Sequence, residues 1–347
     1  MTAPTSVSKS EKAYIQSSLH APDALRADGR SLKDFRNVFL ETGAAPLANG
    51  SARVNLGKAS HESGGGTEVI AAVKLEVENV ENGDGVDGGR IVCTVLCSPA
   101  AYPQLSSNAL DELQYDYTAV LHQTLSHPTL RPSNLGILPR KKSWLLNLDI
   151  TIVSDAGNTY DVMFMAARAA LWDTKVPRTR SVQYAARKGS APMIQAGEAS
   201  MDVDEDGVPK SGFDTRRIPT ATDFELPDFW DEGEVLKGRE LWPVCITLNI
   251  VDILIQDSPI YYLDATPAEE VATPLKLLLM FSFLAGASPN LQGMRLLGPG
   301  EAQLVQLKNF ITEGETYAKE LFNALEAKLR DEDVRRNQKA RDKFTLR

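Results

Sequence analysis

The residues of this 347-residue chain that could do chemistry fall into two groups. The first is a run of carboxylates, Asp252, Asp257 and Asp264, with Glu269 and Glu270 beyond. Carboxylates gathered at strand ends can hold Mg²⁺ or act as a general acid. The same positions also read as turns, because Asp257-Ser-Pro and Asp264-Ala-Thr-Pro are strong turn formers. The second group is basic: Arg140-Lys141-Lys142, Arg178 with Arg180, Arg187-Lys188 and Arg216-Arg217. Any of these could contact phosphate groups, and any could equally be a solvated surface.

Other chemistries lack their signatures. There is no GxxxxGK[ST] loop, no GxGxxG leading from a strand into a helix, and no Gly-x-Ser-x-Gly elbow. Cys93 and Cys97, four apart in an extended run, would place their Cα atoms roughly 13 Å apart, beyond disulfide reach. With Cys245 they read as reduced core cysteines of an intracellular protein. His20, His61, His122 and His127 have no metal-ligand spacing to them, so neither a metal nor another cofactor is expected. Lys9, Glu11 and Lys12 occupy the place where a secretory signal would need an apolar run. The greasiest stretch, 275–284, is interrupted by Lys276 and Ser282 and is about half the length of a spanning helix.

The elements that must position these residues can be read from periodicity. Ser8-x-x-Glu11 is a capping box opening a helix that ends before Pro22. Residues 37–41, 51–56, 68–77 and 90–98 alternate as strands between Gly and Asn clusters, which predicts an antiparallel meander. Asn108 is the expected cap of a helix whose apolar face is Leu110, Leu113, Tyr117, Val120, Leu121 and Leu125. A strand over 144–153 and a helix over 159–173 complete the first half. Residues 195–240 lack periodicity and read as an irregular insertion. Strands are expected at 242–251, 261–263, 275–284 and 291–297, with a hairpin through Ser258-Pro259. A long helix follows with Leu304, Leu307, Ile311, Gly314, Ala318, Leu321 and Leu325 on one face, and the basic residues 330–347 read as its frayed end. The class is α+β, organised as an N-terminal helix 1–25, a first half 26–194, the acidic insertion 195–240, a second half 241–330 and a basic tail 331–347.

The formal charge of −9 argues against autonomous nucleic-acid capture. Its distribution softens that conclusion: 195–240 holds 13 acidic and 5 basic residues, and 76–87 holds five acidic and no basic ones. The remainder is mildly basic, compatible with lining part of a channel.

Several phrases together resemble the RNase PH-like subunits of the RNA exosome. They are Arg26-Ala-Asp-Gly-Arg30 with Asp34-Phe-Arg36, Asn49-Gly-Ser-Ala-Arg53-Val, Ala72-Val-Lys74-Leu-Glu76-Val, Trp144 with Asp149 and Gly157-Asn158, Pro177-Arg178, and Asp264-Ala-Thr-Pro-Ala-Glu269-Glu270. Within the family the chain looks most like the eukaryotic ring subunit descended from the non-catalytic member of the archaeal pair, on the Asp264 phrase and the Ser10-Glu-Lys-Ala-Tyr-Ile15 opening.

The resemblance implies an RNase PH-like fold of two similar βαβα halves with antiparallel or mixed sheets and covering helices. It implies a six-membered ring around an RNA channel, with S1/KH cap proteins, a separate hydrolytic nuclease, and work in rRNA maturation and mRNA decay in nucleus, nucleolus and cytoplasm. Active members degrade RNA from its 3′ end with inorganic phosphate, using a Gly-Arg-Ser-type loop, flanking arginines and an aspartate near the position of Asp257 or Asp264. Here residues 100–125, after Cys97-Ser-Pro99, contain no Arg, Lys or Gly and offer Asp111, Glu112 and Asp116 instead. A phosphate dianion needs cationic or N–H donors, so the expectation is a non-catalytic scaffold subunit, with Arg140, Lys141 and Lys142 as its RNA contacts. The alternatives are an active phosphorolytic exoribonuclease using Asp257 and Asp264, and a free-standing RNA-binding protein.

Overall fold

The computed structural model describes residues 7–21, 26–57, 65–182, 223–226, 233–252, 260–284, 288–301 and 304–345. Helix α1 (Lys9–His20) starts at the expected capping box: the Ser8 hydroxyl accepts from the Glu11 N–H at 3.1 Å, and the Glu11 carboxylate accepts from the Ser8 N–H.

Strands β1 (Val38–Thr42), β2 (Gly50–Leu56) and β3 (Thr67–Asn79) form an antiparallel meander, but β4 (Arg90–Cys97) does not continue it. Between β3 and β4 lies β6 (Lys142–Ser154), antiparallel to β3 and parallel to β4. The cause is the connection. Helix α2 (Ser107–Leu125) carries the chain from the end of β4 back to the start of β6, and such a crossover delivers a parallel neighbour where a hairpin cannot. A short β5 (Gly136–Leu138) adds to the start of β6. The cap of α2 is Ser106, whose hydroxyl accepts from the Ala109 N–H, and not the expected Asn108.

Helix α3 (Thr159–Asp173) is buried at every position from 159 to 172. An all-round buried helix needs cover on more than one side, and α3 lies between β2 and β3 of the first sheet and β11 (Val244–Asp252) of the second. Small pairs flank this core: β7 (Lys175–Val176) with β10 (Glu234–Val235), and β8 (Arg180–Val182) with β9 (Asp223–Glu225). The second sheet orders β12 (Ile260–Tyr262), β11, β13 (Lys276–Ser282) and β14 (Asn290–Leu297), all antiparallel. One hydrophobic core runs through both sheets and α3, so the halves stabilise each other.

A short helix α4 (Pro267–Ala272) stands where only a turn is expected. Its local signals are a capping box, Thr266 with Glu269, and Pro267 in its first turn. The last helix, α5 (Leu304–Thr345), runs through the residues expected to be a frayed tail. The expected stripe lies on its packed face, with Ala318 and Leu325 buried and Leu307, Ile311 and Leu321 half-buried against the core; only Leu304 is exposed, and Phe310, Phe322 and Leu329 widen the buried face. Beyond the second sheet α5 returns to the first half, where Asp333 accepts from Trp172 Nε1 at 2.9 Å and Arg336 pairs with Asp173. This contact ties α5 past residue 330 to the end of α3.

Of the acidic stretch 195–240, residues 195–222 and 227–232 lie outside the described residues; the rest supplies β9, β10 and a short turn at Arg239–Leu241. Asp257 and the expected hairpin at Ser258-Pro259 also lie outside them. Cys93, Cys97 and Cys245 are free and buried. No described helix is long and apolar enough to cross a membrane.

Candidate functional site

Phrases from opposite ends of the chain meet at Asp264. The Asp264 side chain is fully buried and its backbone sits at φ 49°, a left-handed conformation that Asp tolerates in turns. Its Oδ2 accepts from Arg30 Nη1 at 2.7 Å, from the Arg36 N–H at 2.7 Å and from Arg36 Nε at 2.9 Å; its Oδ1 accepts from Arg36 Nη2 at 2.6 Å. Oδ2 thus accepts three hydrogen bonds and Oδ1 one, all from these two arginines. Arg36 Nη1 also donates to the Ala156 carbonyl at 2.7 Å.

Beside this pair, Arg26 grips Glu269 through two bonds, Nε to Oε1 at 2.9 Å and Nη2 to Oε2 at 2.6 Å. Its Nη1 and Nη2 also donate to the carbonyls of Leu263 and Asp264. Burial works against the Arg26 charge, yet Glu269, with Asp28 and Asp264 nearby, holds its pKa above the ordinary guanidinium value. The planar forks of these arginines match carboxylate geometry, which Lys could not reproduce.

The third wall is the turn before α3. Gly157 has φ +87°, and a Cβ there would lie 2.3 Å from the Ala265 carbonyl oxygen, so a side chain is excluded. The Thr67 hydroxyl donates to the Gly157 carbonyl at 2.6 Å and accepts from the Ala156 N–H at 2.9 Å. The Asn158 N–H donates to Glu270, which also pairs with Lys276. In the first turn of α3, Asp161 is fully buried; its Oδ1 accepts from the Thr247 hydroxyl at 2.7 Å and its Oδ2 from the Thr247 N–H. Burial pushes its pKa up to about 7, with the Thr247 bonds opposing the rise.

Residues 98–106 and α2 form the place where the resemblance sets a phosphate loop. Asp111, Glu112 and Asp116 are exposed there. The buried side of α2 carries a polar stripe that sequence reasoning missed. Gln114 Oε1 accepts from the Cys97 N–H at 2.9 Å, Thr118 Oγ1 from Val95 at 3.0 Å and His122 Nδ1 from Cys93 at 3.4 Å. Four helical residues rise about 6 Å and two strand residues about 6.6 Å, so an i, i+4, i+8 stripe can serve every second N–H of the edge strand β4. Its signal in sequence is that spacing alone.

The basic candidates are partly spent. Lys142 pairs with Asp223 at 2.9 Å and lies over the Phe224 ring, and Arg178 pairs with Glu234. Arg140 is exposed at φ 58°, its N–H bonded to Asp87. The structure therefore brings Arg140, Lys141 and Lys142 together on the turn into β6 but not onto the Asp264 cluster. Asp252 ends β11, Asp264 and Glu269 are consumed in ion pairs, and among the described residues no group of three or more His, Cys, Asp or Glu could hold a metal ion.

Comparison with known proteins bears on this arrangement. Residues 34–177 match the RNase PH model, described as the 3′ exoribonuclease family, domain 1. A Dictyostelium discoideum protein named putative exosome complex exonuclease RRP42 is 25% identical over 250 residues, 58% of this chain and 74% of its own. The exosome complex component Rrp42 of Sulfurisphaera tokodaii is 34% identical over 155 residues, 44% of this chain and 53% of its own. The chain thus spans about half the length of that archaeal relative. Among solved structures, a chain of the Archaeoglobus fulgidus exosome with RNA bound to the active site superposes with a TM-score of 0.59 at 22% identity, covering 90% of this chain and 96% of that one. A chain of an archaeal exosome core gives 0.56 at 20% identity, covering 91% and 96%. At these identities the likeness establishes the fold, which is RNase PH-like over both halves.

Proposed function

From the premise that residues 34–177 are an RNase PH domain within an RNase PH-like fold, we propose that this chain is a non-catalytic ring subunit of an RNA exosome. It contributes subunit interfaces and part of the channel wall to 3′-to-5′ RNA processing and decay. The observation that carries the reading is the burial of Asp264 in ion pairs with Arg30 and Arg36. A fully buried carboxylate held by four hydrogen bonds from two arginines is fixed as their counter-ion, and it would have to break those ion pairs to take a proton or hold a cation. Arg30 and Arg36 are both engaged by this carboxylate, and Arg30 pairs with Asp28 as well. The acidic, Arg-free surface of α2 supports the reading, because it repels the phosphates an active site must gather.

Assembly is supported by the sheet edges. β1 carries the exposed Val38 and Phe39, and β14 the exposed Leu291, Met294 and Leu296; both are edge strands. Exposed apolar edges are found where another chain adds on. The partners in this reading are the other RNase PH-like ring subunits, S1/KH caps and a separate hydrolytic nuclease, working in nucleus, nucleolus and cytoplasm. Arg140, Lys141 and Lys142, on the turn into β6, are its RNA contacts, Lys142 pairing with Asp223 as well.

The test is reconstitution. The chain, alone and with its ring partners, is incubated with 3′ single-stranded RNA and inorganic phosphate. The reading expects no nucleoside diphosphate from this subunit; diphosphate release abolished by Asp257→Ala or Asp264→Ala would establish the phosphorolytic alternative instead.

A further inference from the structure

The end of α2 and the start of β4 enclose a cavity of about 230 Å³ well separated in sequence from the Asp264 cluster. Among its lining residues are Arg90, Arg131, His122, His127 and Ser126, and no carboxylate lines it. Each basic residue has donor capacity to spare. Arg90 spends Nε on Glu78 at 3.0 Å, which leaves both Nη atoms unengaged among the described residues. No described side chain pairs with the Arg131 guanidinium.

The histidines are set as donors by their backbones. The Cys93 N–H donates to His122 Nδ1, and the Thr129 N–H donates to His127 Nδ1. A backbone N–H can donate only to an unprotonated ring nitrogen, so on each ring the proton sits on Nε2. The closing carbonyls of α2 oppose an anion here with about half a charge and Glu78 offsets part of the Arg90 charge, which leaves Arg131 as the guanidinium with no described side-chain partner. The volume falls below the roughly 300–1,000 Å³ of sites for drug-sized ligands. A small anion fits it better than a whole nucleotide.

We propose that this cavity is a phosphate-binding site, formed by Arg90, Arg131, His122 and His127, and that the phosphate it takes is a backbone group of single-stranded RNA. The ligand's source rests on the exosome reading; the site's chemistry does not. It lies at the opposite end of β4 from Cys97, so it grips RNA without touching the place where active relatives of the family do chemistry.

The test uses the full chain labelled with ¹⁵N-histidine, titrated with inorganic phosphate and, separately, with an oligoadenylate lacking terminal phosphates, at ionic strength fixed with potassium chloride. The expected result is a saturable movement of the His122 and His127 Nε2 signals. Arg131→Gln should weaken it at least tenfold. The slope of log affinity for oligoadenylate against log salt should also fall by about 0.7 per arginine removed. Arg131 has no described partner to lose, so this variant should fold even where Arg90→Gln does not. Saturation by inorganic phosphate but not by oligoadenylate upholds the site and assigns it to free phosphate. No saturable movement with either, or the same movement in the Arg90→Gln/Arg131→Gln chain, overturns it. The readout is on the chain itself, so its failure is distinguishable from failure of the ring to form or of Asp264 to be inert.

Discussion

Arg36 holds Asp264 across 228 residues of sequence through three hydrogen bonds, from its backbone N–H, Nε and Nη2, at 2.7, 2.9 and 2.6 Å. The pair joins the entry to the first sheet with the turn after β12. A buried carboxylate paid for by two arginines is a structural joint, and breaking one side of it leaves uncompensated charge.

Asp264→Ala should therefore destabilise the chain by about 3–5 kcal/mol. Denaturant unfolding checks this, with Arg26→Lys as a companion. Lys keeps the charge but cannot make the two-pronged contact with Glu269, so its loss should be smaller but measurable.

Gly157→Ala should cost about 2 kcal/mol or more, because a left-handed backbone and a carbonyl 2.3 Å from the new Cβ must both be accommodated. The thermal midpoint should drop, while Gly83→Ala, with open space around it at a similar φ, should cost only the backbone strain.

Thr118→Val preserves shape but removes the acceptor for the Val95 N–H. An unsatisfied buried donor costs about 1–3 kcal/mol. Hydrogen exchange at the Val95 amide should accelerate more than at its neighbours on β4, which keep their partners on Gln114 and His122.

Asp161 gives a pH dependence with a definite sign. Its folded pKa, about 7, lies above the ordinary carboxylate value. The folded state therefore keeps a proton that the unfolded state releases. The contribution is full below about pH 4, falls by up to about 1.4 kcal/mol per pH unit as pH rises toward 7, and is flat above that. Asp161→Asn should flatten this part of the stability profile measured between pH 4 and 8.

The long strands of the two main sheets were legible to within one or two residues because alternation is a local property, as β2 and β14 illustrate; the two- and three-residue strands β5 and β7 to β10 were not, being too short to show a period. Sheet order was not: nothing in β4 itself says that β6 will lie between it and β3. That depends on α2 acting as a crossover. The full width of the α5 face was illegible for a similar reason. Its leucine stripe is amphipathic in isolation, but Phe310, Phe322 and Leu329 are buried by the second sheet and by the return of α5 to Trp172 and Asp173. The arginine phrases and the Asp264 phrase were visible separately as a family resemblance, whereas their mutual contact is a tertiary fact. The Gln114, Thr118 and His122 stripe was invisible in function because its partners are backbone N–H groups, which carry no side-chain signature.

The central claim, that Asp264 is a joint and not a catalyst, is tested most directly by nucleoside diphosphate release from the assembled ring carrying Asp264→Asn. Activity is normalised to intact ring and measured with RNA and inorganic phosphate. The expected result is a lower unfolding midpoint for the chain with diphosphate release per intact ring the same as before the substitution, none where no ring partner is phosphorolytic. A rate reduced a hundredfold or more with the unfolding midpoint unchanged would contradict it.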